Sequence, residues 1–321
     1  MAASLHIPVL VEEVMNVFSP TPASHLLDAT VGHGGHTRAY LEGTSADSTA
    51  VGLDADREAL KMAAENLAEF GNRVQLVCAN FANMKDSLLG GGILPHPPTG
   101  GSPPLFHHIL FDLGIGSHQL ADPNRGFSFA SGAELGMAYG ELAALPPAKV
   151  AALNALQNHR GYLPDVSDIL SGLTAADLAE VIRFYGEERY AERIARALKQ
   201  SLPISSAKEL AHLITDAVPG SYEHGRIHPA TRTFQALRIA TNRELEALEV
   251  ALPQALDLLL PQGVLAVISF HSLEDRIVKN FVRQHKDALE ILTKKPTRAG
   301  QAEIQRNPRS RSAKLRAARK T

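Results

Sequence analysis

The chain has 321 residues, 45% apolar and 21% charged, which is enough for a substantial buried core and unlike the composition of disordered chains. Its single cysteine excludes a disulfide framework and an all-cysteine metal cluster, and with no tryptophan and only 5% aromatics a broad base-stacking platform is not expected. No apolar run approaches the roughly 18 residues of a membrane span, and the formal charge of −2 hides an asymmetry: residues 294–321 hold ten bases and one acid, Glu303, for +9, leaving −11 on the rest.

The opening MAASLHIPVLVEEV has neither the basic start of a secretory signal nor an Arg/Ser-rich presequence, which predicts a cytoplasmic protein. HLLDATVG, at 25–32, reads as a short strand running into glycines, and residues 39–42 as the first turns of a helix. TAVGLDAD, at 49–56, is a second strand ending in acids. The segment 57–70 has helical spacing, with Leu60, Ala64, Leu67 and Ala68 expected inward and Gly71 and Asn72 as the stop. Residues 73–81 form a third strand in which Cys78 is expected to be buried, and 106–114 a fourth; between them 90–104 is loop composition throughout. Strands spaced by helices predict an α/β fold with a mostly parallel sheet covered on both faces.

From 124 to 221 strand signals vanish. Helical segments dominate there, including 174–200, broken at Gly186, and 206–219, capped by Ser206. The alternation then resumes with the strand PQGVLAVISF, the helix HSLEDRIVKNFVRQ and a last strand near 289–293. The expected plan is a core at 1–123, an inserted helical domain for substrate recognition at 124–221, the rest of the core at 222–293 and a basic C-terminal tail at 294–321 that contacts a polyanion.

A ligand crevice is expected at the strand ends. Gly32, Gly34 and Gly35 follow the first strand and let backbone approach a ligand, while the helix after them presents unpaired N–H groups. Their spacing is not GxGxxG, which argues against a dinucleotide oxidoreductase. Asp56 is placed to cap the helix at 57, leaving Asp54 to accept from a ribose diol. Phe81 ends the third strand and can flank an adenine; Asp112 ends the fourth. Carboxyl ends of adjacent parallel strands converge on one crevice. Farther on, Ser269 and His271 end a later strand and can border a bound substrate, and His271 suits either proton handling or a purely structural hydrogen bond. Phe127 and Phe129 can line the opening or, as two apolar residues in a polar loop, anchor that loop. Arg232 and Arg238 suit phosphates or an ion pair, and Arg309, Arg311 and Lys314 suit phosphates.

HIPVLVEEV, GHGGHT at 32–37, GLDAD at 52–56, FDLGIGSHQLADPNRGFSF at 111–129, HPATRTFQALRIATNREL at 228–245, VISFHSLEDRIVK at 267–279 and NPRSRSAKLR at 307–316 together resemble the RsmH/MraW family, S-adenosylmethionine-dependent 16S rRNA (cytosine-N4)-methyltransferases. The resemblance implies a Rossmann-like class I methyltransferase fold, S-adenosyl-L-methionine as cofactor, and a cytidine in the decoding centre as substrate, within an assembled or nearly assembled small subunit. A homodimer is a further expectation. By the same resemblance Gly34, Gly35 and His36 surround the cofactor's methionine part, Asp54 binds ribose, Phe81 lies beside adenine, and Asp112 and Gln119 make further cofactor contacts, with Asp112 at the junction with substrate. The chain departs from the family at 135–140, where Leu-Gly-Met-Ala-Tyr-Gly replaces Leu-Asp-Met-Arg-Met-Asp, and at Gly116-Ser117, where two serines are usual. Those losses leave two other readings: a cofactor-binding ribosome-assembly protein, or a methyltransferase acting on a different nucleic acid.

Overall fold

The computed structural model describes residues 7–90, 105–116, 120, 122, 126–129, 132, 135–138, 145–160, 164–222 and 227–321. Seven strands form one sheet: β1 (His25–Asp28), β2 (Thr49–Asp54), β3 (Val74–Cys78), β4 (Phe106–Asp112), β5 (Leu259–Ser269), β6 (Leu289–Ile291) and β7 (Lys314–Lys320), in the order β3-β2-β1-β4-β5-β7-β6. The first five run parallel; β7 runs antiparallel to both β5 and β6. This is the mostly parallel sheet expected from the alternation, in the Rossmann-like fold that the resemblance implies. Its strand order reverses between β1 and β4, the switch point outside which open sheets of this kind bind ligands.

The central strands are near-continuous apolar runs because both faces are covered. Successive residues serve opposite cores. Leu27, Leu53, Ile109 and Phe111 meet Met84, Leu88 and Leu252 on one face, while Leu26, Leu110, Ala266 and Ile268 meet Val14, Phe18, Tyr40 and Leu41 on the other. The covering helices include α1 (Val11–Phe18), α2 (Gly35–Glu42), α3 (Arg57–Asn66) and α4 (Met84–Gly90). Helix α3 buries Ala59, Ala63 and Leu67; Ala64 and Ala68, expected inward, are exposed, because a start at Arg57 sets the inward phase one residue earlier. Cys78 is also exposed rather than buried: β3 is the edge of the sheet and its last residue has no neighbour on the outer side.

The chain divides into two units, 1–114 with 140–143 and 247–321, and 115–139 with 144–246. The helical unit is therefore larger than the expected 124–221. It contains α5 (Ala151–Arg160), α6 (Val166–Gly172), α7 (Ala175–Gly186), α8 (Ala191–Gln200), α9 (Ala207–Ala217) and α10 (Thr231–Asn242). Helix α10 belongs here because it packs on α7, where Gly186 brings the Arg232 carbonyl so close that a Cβ would lie 2.6 Å from it. Ser206 caps α9 as expected, accepting from the Glu209 N–H. Helix α11 (Glu244–Leu258) begins in this unit and ends in the first, and α12 (Ser272–Gln284) and α13 (Gln301–Arg306) complete the first. No helix among the described residues is long and apolar enough to cross a membrane.

The segment 294–321, expected as a tail, is part of the fold. Its last stretch is β7, inserted between β5 and β6, with Leu315, Ala317 and Ala318 buried. Arg316 makes a two-pronged pair with Asp275 at 2.7 and 3.2 Å, and the Lys320 ammonium donates to the Leu256 and Leu259 carbonyls at 2.7 Å, so these two cations are accommodated by partners at the strand's margins.

Candidate active site

The first unit gathers its acids at the carboxyl ends of β1, β2 and β4. Asp28 accepts from the Thr37 hydroxyl at 2.8 Å and the Thr30 N–H at 3.3 Å. Burial, and secondarily the nearby Asp54, raise its pKa to about 6 against those hydrogen bonds. Asp54 accepts from the Gly32 N–H at 3.0 Å and the Asp56 N–H at 2.8 Å, which ties the end of β2 to the glycine turn. Asp56 caps α3 as expected. The backbone N–H of Asp112 donates to Thr30 Oγ1 at 2.6 Å, while its Oδ1 is buried with no hydrogen-bond partner among the described residues. Burial, then the charges of Asp28 and Glu274, push its carboxyl well above the usual range. Like charges crowded in a desolvated crevice hold protons until a cation enters.

The turn between β1 and α2 explains its glycines. Gly34 lies at φ 84° as the N-cap of α2, and a Cβ there would stand 2.7 Å from Leu67; at Gly35 it would meet Pro8 at 2.8 Å. Both positions need a residue without a side chain. Helix α2 has no side-chain cap and no acid in its first turn, so its leading N–H groups offer an anion site beside the carboxyl cluster. One crevice thus combines a place for an anion with a surplus of acids for a cation, which is the charge pattern of an amino-acid head joined to a second positive centre.

His36 is 5% exposed and neutral: burial lowers its pKa to about 4. One ring nitrogen, Nε2, bonds the Val9 carbonyl at 2.8 Å, and Nδ1 lies 3.7 Å from Asp112 Oδ2. The imidazole therefore pins the segment before α1 against the glycine turn, a role the sequence pattern did not reveal. Phe81 begins a short 3₁₀ turn, half-buried, with its ring edge-on to Phe111 at 5.7 Å, so it is partly a core residue. Gln119 lies outside the described residues.

The expected substrate contacts fare less well. Ser269 is 1% exposed, its hydroxyl 3.4 Å from the Lys314 carbonyl, so it faces the sheet rather than a ligand. His271 caps α12: Nδ1 accepts the Glu274 N–H at 3.4 Å while the Glu274 carboxylate accepts the Phe270 and His271 N–H groups. The cap uses Nδ1, Nε2 lies 3.1 Å from Glu274 Oε1, and the local signal, His-Ser-Leu-Glu, is a capping box read from the start of α12.

In the second unit Phe127 is buried, and Phe129 stacks on His228 at 4.6 Å and meets Phe234 edge-on at 4.7 Å, so both anchor their loop. Arg238 forms a paired hydrogen bond with Glu244 at 2.7 and 2.8 Å, the ion-pair alternative, and Arg232 donates to the Glu187 carbonyl at 3.2 Å. At the divergent stretch, Leu135 and Met137 are buried and the Met137 carbonyl accepts from Asn242 at 2.7 Å, while Ala138 is exposed and Gly136 partly so. The positions that keep the family's apolar residues are the anchors; two of those that lost an acid or an arginine face outward.

Residues 3–321 match the model of the MraW methylase family. The chain is 42% identical over 315 residues to the ribosomal RNA small subunit methyltransferase H of Nostoc punctiforme, covering 98% of this chain and 94% of that one. It is equally similar, 42% over 335 residues and 98% of each chain, to the protein of the same name in Syntrophotalea carbinolica, and 40% identical over 335 residues to that of Heliobacterium modesticaldum, again covering 98% of each.

Proposed function

The chain belongs to the MraW methylase family, and from that premise we propose that it is an S-adenosylmethionine-dependent methyltransferase of small-subunit rRNA whose target is the exocyclic N4 of a cytidine in the decoding centre. The observation that carries the reading is the crevice at the switch point: Asp28, Asp54 and Asp112 beside the uncapped start of α2. The residues present fit the cofactor. Its carboxylate suits the α2 N–H groups, its ammonium and sulfonium suit the acid cluster with the orphaned Asp112 Oδ1, and its ribose suits Asp54. When bound, it supplies a methyl carbon attached to a cationic sulfur; the cytidine N4 lone pair forms the new C–N bond as the C–S electrons return to sulfur, and N4 gives up a proton.

The chain's own groups have three tasks in that reaction. The glycine turn would hold the amino-acid end of the cofactor, and alignment of nucleophile, carbon and leaving group contributes to the rate. The acids hold the positive centre before transfer and lose their hold once sulfur is neutral, so the product binds less well than the reactant. Asp112, the buried carboxyl at the end of β4, is the first candidate for the group at the junction of cofactor and substrate.

The test is transfer from labelled S-adenosylmethionine to small subunits lacking the modification, followed by nucleoside identification. Labelled N4-methylcytidine, lost in Asp54→Asn and Asp112→Asn, supports the proposal. A second reading is favoured by Gly136 and Ala138, half-buried and exposed, which stand where an acid and an arginine are expected: a cofactor-binding assembly factor without turnover. Cofactor binding with no transfer to free rRNA, assembly intermediates or mature subunits would select it.

A further inference from the structure

The basic residues of 294–321 are sorted along β7. At the far end Arg316 is paired with Asp275, Arg319 reaches Glu290 at 3.3 Å, and Lys320 is taken up by two carbonyls. At the near end Arg298, Arg311 and Lys314 have no carboxylate partner among the described residues, and Arg298 and Arg311 are exposed.

The sheet fixes where that near end lies. β7 runs antiparallel to β5, with Lys314 opposite Ser269, and on the other side of β5 Ile268 is opposite Asp112. Two strand spacings, about 10 Å, therefore separate the Lys314 backbone from that of Asp112. Thr297 bridges Leu315, which brings Arg298 beside Lys314. The turn carrying Arg311 is rigid: Asn307, Ser310 and Ala313 are buried, the Asn307 amide donates to the Ile7 carbonyl at 2.9 Å, and Glu303 accepts the Leu10 N–H at 2.8 Å. The same 7–10 segment is pinned by His36 through Val9, so the basic turn and the glycine turn share one support.

We propose that Arg298, Arg311 and Lys314 form a phosphate-binding rim at the carboxyl edge of the sheet, holding the RNA backbone next to the nucleotide whose base enters the acidic crevice. This rests on the reading of the crevice given above and extends it. A crevice floored with acids repels a polyanion, so a cationic substrate rim set a short reach to one side resolves the conflict between the cofactor and the RNA. Phosphate contacts of this kind position without reading sequence and release counterions, which makes them visible in salt dependence.

The test uses full-length protein with S-adenosylhomocysteine bound and small subunits lacking the modification, binding being measured across a series of KCl concentrations at fixed Mg²⁺. Arg311→Gln with Lys314→Gln should reduce the slope of log K against log salt by about 2, weaken binding by tenfold or more, and leave S-adenosylhomocysteine affinity unchanged. The control is Arg283→Gln with Lys286→Gln, the same charge change at the exposed end of α12 and just beyond it. Equal slopes in both variants, or no change in the rim variant, overturn the rim while wild-type methyl transfer keeps the methyltransferase reading intact. Wild type that binds cofactor but neither binds nor methylates subunits overturns both. Were the double variant to lose cofactor affinity as well, Arg311→Gln alone carries the test, with half the change in slope.

Discussion

Asp28 and Asp112 hold their carboxyl groups where water and counterions are scarce, and this sets the response of the site to pH. With Asp28 at about 6 and Asp112 also held well above the usual carboxylate range by burial, the crevice is partly protonated in mildly acidic solution. A cation binds the ionised form, so affinity for S-adenosylmethionine should rise as pH increases through about 6, with protons released on binding. S-adenosylhomocysteine shares the amino-acid head but has no sulfonium, so its affinity should rise less. Calorimetry in buffers of different ionisation enthalpy measures both, and equal proton release for the two ligands would remove the sulfonium from the argument. Stability runs the other way. A carboxyl whose folded pKa is raised contributes stability fully below its ordinary value of 3.8, and that contribution is lost as pH rises through about 6. Asp28→Asn should therefore melt no lower than wild type at pH 7.5, since an amide can accept from Thr30 and donate to Thr37, while cofactor affinity falls at least tenfold.

Strand β7 shows what an element's sequence reveals and what it conceals. β1 to β5 were legible because alternation with helices and apolar runs of the right length leave few other readings, and Asp54, Asp56 and Asp112 were legible as strand-end acids. β7 was not: Lys-Leu-Arg-Ala-Ala-Arg-Lys buries only Leu315 and two alanines, and its charged residues outnumber them. Its place in the sheet comes from β5 and β6 on either side and from partners distant in sequence, Asp275 and Glu290. The same limit hid the structural use of His36 and left open which of two readings His271 and Arg238 take, because each depends on a neighbour that spacing alone does not identify as one. Because Leu315 is fully buried in the core beneath the sheet, Leu315→Ala should cost about 2–5 kcal/mol. Arg311→Gln, four residues earlier and exposed, should change stability by no more than about 0.5 kcal/mol. Urea denaturation separates the two, and similar losses would mean that the basic turn, like the strand, is structural.

At the scale of the whole molecule, the acids and glycines of the crevice all belong to the first unit, as do Arg298, Arg311 and Lys314 of the proposed rim, while Phe127, Phe129, Arg232 and Arg238 take partners within the second. The insertion was visible as a loss of strand signal, but its end was not, because α10 has the same helical pattern whichever unit it joins; only the close approach at Gly186 assigns it. If the cofactor site is built from the first unit alone, its occupancy should be felt there first. S-adenosylhomocysteine at 100 times its Kd stabilises the state that binds it by about 2.7 kcal/mol. Amide exchange should then slow in 28–37, 53–56, 79–84 and 112–114, where the backbone groups of the crevice lie, and remain unchanged across α7, α8 and α9. Slowing of equal size in those helices would mean that the two units open together as one cooperative body, and that substitutions anywhere in the helical unit would be expected to change cofactor affinity as well as the handling of RNA.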